Sequence, residues 1–204
     1  MRLVADRLSA SRGGRTLFAD LSFVIAERGA LLVTGPNGAG KTTLIRTIAG
    51  FLQPDAGAIR LDGASLDHAL GEQCHYLGHA NAIKAAMTVG ENASFWSRFL
   101  GGARSRLEVA LESFGLAALR DIPAGYLSAG QKRRLGLTRL LLAERPLWLL
   151  DEPTTSLDSA GQDVLAEVVN RHLAAGGLVM AATHMPLGFT GAQELRLGMA
   201  AAAA

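Results

Sequence analysis

Three short stretches of this chain hold the residue types that act on a phosphorylated ligand. Gly35-Pro36-Asn37-Gly38-Ala39-Gly40-Lys41-Thr42-Thr43 fits the phosphate-loop pattern G-x-x-x-x-G-K-[ST] at every fixed position. Glycines there let backbone N–H groups approach a β-phosphate and point inward. A helix start would add its partial positive charge. Lys41 is spaced to reach β- and γ-oxygens, and the Thr42 hydroxyl to ligate Mg²⁺. Asp151 closes the apolar run Leu147-Trp148-Leu149-Leu150, so its carboxylate can reach the Mg²⁺ shell through water. Glu152 follows and faces the other side of that strand, which suits a general base that polarises water. His184, after Leu178 to Thr183, can contact a γ-phosphate and hold the water–glutamate geometry.

These residues need particular elements to carry them. Ala30 to Thr34 is a short apolar run that reads as a buried strand, and Thr43 to Ala49 has apolar residues at helical spacing with Gly50 as a stop. Strand, glycine loop and helix are the arrangement phosphate binding requires. Residues 1–34 and 57–77 read as short strands with Gly and Asp turns. Residues 84–125 switch to helical patterning, including Val89 to Leu100 and Ser105 to Phe114, and residues 126–186 return to strand–helix alternation. A mostly helical arm is thus inserted into an α/β core.

Length and composition bound the rest. At 204 residues, 49% hydrophobic, with one cysteine, the chain reads as a single globular domain that is cytosolic and not stapled by disulfides. We read no secretory signal at its start and no uncharged apolar run of the ~18 residues a membrane span requires. Net charge is +2, and the basic run Lys132-Arg133-Arg134 is short. Solvated faces and phosphate contacts account for it better than nucleic-acid binding does. The last residues, Met199 to Ala204, carry little information and are expected to fray.

Leu127-Ser128-Ala129-Gly130-Gln131 resembles the LSGGQ signature of ATP-binding-cassette (ABC) ATPases, with Ala129 at the second-glycine position. With the phosphate loop, Asp151-Glu152 and His184 in this order, the resemblance covers nearly the whole chain. It implies an α/β P-loop NTPase core with a small antiparallel β subdomain (residues 1–81 and 138–204) and an inserted helical subdomain (about 82–137). It implies that Ser128, Ala129, Gly130 and Gln131 bind, in trans, the γ-phosphate of ATP held by a second copy. A homodimer then carries two ATPs, and Ser156-Leu157-Asp158 resembles the loop that crosses its interface. Two positions depart from the family pattern. An adenine-stacking aromatic is absent from Ser11 to Arg15, where Arg12 or Arg15 offers a guanidinium plane or base contact is weak. A glutamine that touches Mg²⁺ and signals to the membrane partner is replaced by Ala80, with His79 and Asn81 as alternatives beside it.

Within that family the chain resembles the ATP-binding subunits of cytochrome c maturation systems. The resemblance rests on Tyr76 to His79, Ile83-Lys84, Thr88 to Asn92, Leu127 to Arg134 and Pro146 to Pro153. It implies an ATPase peripheral to the cytoplasmic face of the bacterial inner membrane, beneath a polytopic membrane subunit. Its hydrolysis would drive haem export or release of a haem-loaded chaperone from its loading complex. An ABC importer or exporter of another kind is the alternative, and soluble nucleic-acid or ribosome factors and a non-hydrolysing switch are the more distant ones. No protein-bound haem is expected: Cys74 and His75 are neighbours on a strand and face opposite sides. Phe95, Trp96 and Phe99 share one helical face and are either core or a docking groove for a membrane-subunit helix.

Overall fold

The computed structural model describes residues 1–65 and 67–198, so the expected fraying of Met199 to Ala204 lies outside the described residues. Eight strands form two sheets. β1 (Arg2–Arg12), β2 (Arg15–Ile25) and β4 (Ala56–Asp62) make an antiparallel sheet in the order β2-β1-β4. β3 (Ala30–Thr34), β5 (Cys74–Leu77), β6 (Leu147–Asp151), β7 (Leu178–Ala182) and β8 (Gln193–Arg196) make a parallel sheet in the order β5-β6-β7-β3-β8. The first two strands run eleven residues each, longer than the short strands the sequence suggests. Register shifts interrupt the β1–β2 ladder between Ala5 and Ser11, and these irregularities let so long a ribbon curve over the core.

The inner strands β6 and β7 are buried on both faces, which is why they are continuous apolar runs, whereas the edge strand β8 (Gln193-Glu194-Leu195-Arg196) is largely exposed. All five residues of β6 and all five of β7 are buried. Their side chains alternate between two cores. Leu147, Leu149, Leu178 and Met180 pack with α1 (Lys41–Ile48) and the antiparallel sheet. Trp148, Leu150, Val179 and Ala181 face the other way, onto α6 (Ser159–Ala174) and the helical layer. That layer contains α2 (Val89–Phe99), α3 (Arg106–Ser113), α4 (Ala129–Leu137) and α5 (Arg139–Leu142), with Phe114, Leu116 and Leu140 fully buried among them. α2 begins with a capping box: Thr88 Oγ1 accepts from the Glu91 amide, and the Glu91 carboxylate accepts from the Thr88 amide.

The three aromatics of α2 divide between the two roles the sequence left open. Trp96 is half-buried, donates its indole N–H to the Ala82 carbonyl at 3.0 Å, and lies under the Arg139 guanidinium. Phe99 stacks on Phe95 but is 71% exposed.

Two histidines are sequestered in the helical half of the core. His75 donates from Nε2 to the Ala143 carbonyl at 2.8 Å, and burial pushes its pKa down to about 4. The His172 ring stacks on Trp148 with 3.8 Å between centroids, and burial again lowers its pKa to about 4. The unfolded chain therefore binds protons that the folded chain refuses. Stability is complete above about pH 6.5 and falls as the pH drops from there towards 4, at about 1.4 kcal/mol per pH unit per histidine. Urea unfolding at pH 7.5 and 5.0 checks this, with a clearly lower midpoint expected at pH 5.0 and a smaller difference in His75→Gln.

Candidate nucleotide site

Parallel strands all point one way, so β3, β7 and β6 open their C-terminal ends on one edge of the sheet. The segment after β3 is the glycine loop Gly35 to Gly40, which delivers the chain into α1. Gly35 has φ +132°, and a Cβ there would lie 2.3 Å from the Leu197 carbonyl oxygen. Only glycine lets the loop pass this close to the chain after β8. Gly40, at φ +99°, offers α1 no capping side chain, and no acid sits in its first turn. The first amides of α1 and the positive end of its dipole are thus left for an anion.

Lys41 is buried, and its ammonium donates to the carbonyl oxygens of Gly35 at 2.7 Å and Pro36 at 3.2 Å. The Thr42 hydroxyl donates to Asp151 Oδ1 at 3.1 Å, across 109 positions of sequence. Asp151 continues the face of β6 that carries Leu147 and Leu149, so alternation alone aims it at α1. Glu152 follows in a left-handed backbone conformation, φ +48°, with its amide bonded to the Ala182 carbonyl at 3.0 Å. Its carboxylate, one-fifth exposed, lies 3.0 Å from Nδ1 of His184, the second residue after β7. Thr183 turns the chain there by bonding within its own loop to Met185.

A cleft of 320 Å³ connects these groups, lined by Arg12, Leu17, Asn37, Gly38, Gly40, Lys41, Thr42, Thr43, Asp151 and Glu152. Arg12, one of two arginines weighed for base contact, lies on this cleft; Arg15 does not line it. Leu17 was not singled out from sequence, because an apolar residue on a strand carries no sign of the pocket it borders. A larger cleft of 740 Å³ elsewhere is walled by Trp148, His172, Arg145 and residues of α6, but has no glycine loop and no carboxylate–histidine pair. Chemistry, not size, selects the site.

The arrangement can hold a triphosphate along the loop and a hard cation beside Thr42 and Asp151. Among the described residues no cluster of three His, Cys, Asp or Glu could hold a metal by itself, so phosphate oxygens and water would complete the shell.

The residues proposed to act in trans lie apart from the cleft. Ser128 caps α4, its hydroxyl accepting from the Gln131 amide at 3.2 Å, while the Gln131 side chain accepts from the Ser128 amide at 2.9 Å. Ser128 and Ala129 are exposed. Gly130 backs onto the Ser156 carbonyl: a Cβ there would come within 2.9 Å of that oxygen. Ser156 has φ +69°, and Asp158 caps α6 by accepting from the Gly161 amide at 2.8 Å. The signature therefore lies against the Ser156–Asp158 loop, with Ser128, Ala129, Ser156 and Asp158 exposed.

The basic run Lys132-Arg133-Arg134 does not behave as a solvated face. Arg133 is buried, and Lys132 and Arg134 each donate to a backbone carbonyl, of Gly125 and Phe114. Ala80 and His79 are exposed, while Asn81 Oδ1 accepts from Arg133 at 3.1 Å. Cys74 and His75 lie on opposite faces of β5, Cys74 in the α1 core with its thiol pushed up to about 11 by burial.

Residues 18–155 match the family model described as ABC transporter. The chain is 53% identical over 202 residues to the cytochrome c biogenesis ATP-binding export protein CcmA of Nitrobacter winogradskyi, covering 98% of this chain and all of that one. It is 52% identical to the protein of the same name from Bradyrhizobium diazoefficiens, covering 97% and 98%. Among solved structures it resembles an ATP-binding subunit of an ABC transporter with TM-score 0.80 and 26% identity, over 91% of this chain and 80% of that one. A putative ABC transporter ATP-binding protein from Pyrococcus furiosus shares the fold with TM-score 0.84 at 23% identity, over 97% and 98%.

Lys41 supplies the one buried ammonium of the cleft. Lys41→Ala should weaken ATP binding by roughly 10- to 100-fold, the loss of a charge-assisted contact, with thermal stability little changed. Titration with a fluorescent ATP analogue measures this directly, and wild-type affinity would remove Lys41 from the site.

Proposed function

The chain belongs to the ABC transporter ATPases, as an ATP-binding subunit of the cytochrome c maturation system, and on that premise we propose how its residues run the ATPase cycle. ATP lies along the loop Gly35 to Thr43, its β- and γ-phosphates neutralised by Lys41 and the start of α1. Thr42 and Asp151 would hold Mg²⁺, which spreads the charge of the transferred phosphoryl group. Glu152 accepts a proton from the attacking water. His184 holds the Glu152 carboxylate and meets the γ-phosphate from its exposed side. The observation that carries this reading is the Glu152–His184 pair, 3.0 Å apart at the edge of the cleft that Lys41 and Thr42 line.

The cycle needs a second copy. Ser128, Ala129, Gly130 and Gln131 cap the ATP bound by the other subunit, giving a homodimer with two ATPs between the chains. An exposed helix start, capped by Ser128 and Gln131 and with no acid in its first turn, supports this, as does its contact with the Ser156–Asp158 loop. Asp158 then serves the dimer by fixing the start of α6 and the loop before it. The basic run Lys132 to Arg134 donates to internal carbonyls, so it lends no support to a nucleic-acid partner.

The helical subdomain, about residues 82–137, delivers the stroke to a polytopic membrane subunit. On this reading the chain sits peripherally on the cytoplasmic face of the inner membrane beneath that subunit; among the described residues no helix is long and apolar enough to cross a membrane. Exposed Phe99 beside Phe95 supports the docking face. Dimer closure and reopening would drive haem export or release of the haem-loaded chaperone from its loading complex. By the same reading no haem is bound on this chain, in keeping with Cys74 and His75 lying on opposite faces of β5.

Glu152→Gln keeps the shape of the site and removes its base. Turnover should fall by about 10²–10⁴-fold while ATP stays bound and the dimer persists on gel filtration. The same variant, used with ATP as bait on solubilised membranes, should recover a polytopic protein with a haem-bearing chaperone. Wild-type turnover would sink the general-base role, and recovery of an unrelated permease would sink the cytochrome c assignment.

A further inference from the structure

One buried side chain joins three parts of the molecule that the cycle must move together. Arg133 lies on α4, 3% exposed. Its Nε donates to the Pro153 carbonyl at 2.9 Å. One terminal nitrogen donates to the Gly78 carbonyl at 3.0 Å and to Asn81 Oδ1 at 3.1 Å. The other donates to the Asp151 carbonyl at 3.3 Å and the Glu152 carbonyl at 2.9 Å. A guanidinium has five N–H donors, and each has an acceptor here. Among the described residues none of the acceptors is a carboxylate, so a full charge is buried against backbone and amide oxygens. Such burial works against stability.

The carbonyls of Asp151, Glu152 and Pro153 are consecutive. One rigid planar group bonded to all three fixes the peptide planes on either side of Glu152. That is where the backbone needs holding, since Glu152 sits at φ +48°, a left-handed conformation that a residue with a Cβ rarely adopts. The backbone in turn sets the direction in which the Glu152 carboxylate leaves the chain, and so its 3.0 Å contact with His184. The opposite edge of the fork holds the Gly78–Asn81 loop, and its stem belongs to the helix that Ser128 caps. A shift of α4 or of that loop must therefore turn the peptide planes of Glu152. Ala80, beside the contact, has no polar side chain to make a second link.

We propose that Arg133 is a positioning residue for Glu152, tying the attitude of the base to α4 and to the Gly78–Asn81 loop through its hydrogen bonds to the Gly78, Asp151, Glu152 and Pro153 carbonyls and to Asn81. This assignment rests on Glu152 being the general base. A lysine keeps the charge but cannot span both edges of the fork.

The test is steady-state and single-turnover ATPase kinetics on the full chain, for Arg133→Lys alone and combined with Glu152→Gln, with ATP binding measured beside them. Arg133→Lys should lower kcat by roughly 10- to 100-fold, as misplacing a catalytic group does, with KM for ATP within about threefold. On the Glu152→Gln background the same substitution should cost almost nothing, because the group it positions is gone. A kcat unchanged by Arg133→Lys overturns the assignment, as does a loss that multiplies undiminished on the Glu152→Gln background. Should Arg133→Lys fail to fold, Asn81→Ala breaks one of the five bonds and leaves the charge clamped. It should lower kcat by about two- to fivefold at constant KM, again only when Glu152 is present, and an unchanged kcat refutes the link. Rapid turnover by Glu152→Gln would remove the general-base reading itself. A slow Glu152→Gln beside a fast Arg133→Lys removes only the role of Arg133.

Discussion

Everything at the site depends on β6 being buried along its whole length. A strand enclosed between two cores can hold no polar side chain until it reaches the edge of the sheet. Leu147 to Leu150 fill that enclosure, and Asp151 is the first residue for which a polar partner is in reach, the Thr42 hydroxyl at 3.1 Å. Because the sheet is parallel, β3, β6 and β7 reach that edge together, and the residues beyond them meet from distant parts of the sequence, Thr42 with Asp151 and His184 with Glu152. Asp151 faces α1 and the phosphate loop by alternation, whereas Glu152, one residue past the strand at φ +48°, is turned by its left-handed backbone towards His184 at the same cleft.

The edge is held under strain, and each strained point has a visible restraint. Gly35 passes so close to the Leu197 carbonyl that no side chain fits. Glu152 adopts a positive φ, fixed by its amide bond to Ala182 and by the Arg133 clamp on the carbonyls around it. Backbone held away from its preferred basin directs a side chain more narrowly than a relaxed loop does. The cost falls on the two apolar cores, which are large enough to absorb it.

The exposed features divide from the cleft in a consistent way. Ser128 presents an exposed, capped helix start with no acid in its first turn, and the Ser156 carbonyl turns inward against Gly130. Phe99 lies bare on α2, while Trp96 beside it is drawn under Arg139. The first surface suits an anion carried by another molecule, and the second suits an apolar partner. Arg133 connects the helix of the first surface to the backbone of Asp151 to Pro153, the link through which we propose that docking and chemistry are coupled.

The local chemistry was legible in the sequence because it depends on spacing along one segment. The glycine loop between β3 and α1, the acids at the end of β6 and the helical arm all follow from residue type and period. What depends on approach between distant segments was not legible. Arg133 looked like part of a solvated basic run, although it shares a helical face with buried Leu137; nothing local reveals that Gly78, Asn81 and Asp151 to Pro153 would converge on it. Leu17 lines the cleft only because β2 folds over Gly40. The sequence by itself determined which groups could bind phosphate and which could activate water. Only the tertiary structure decided their mutual aim, because aim is set by strand order and by carbonyls whose partners lie up to 55 positions away.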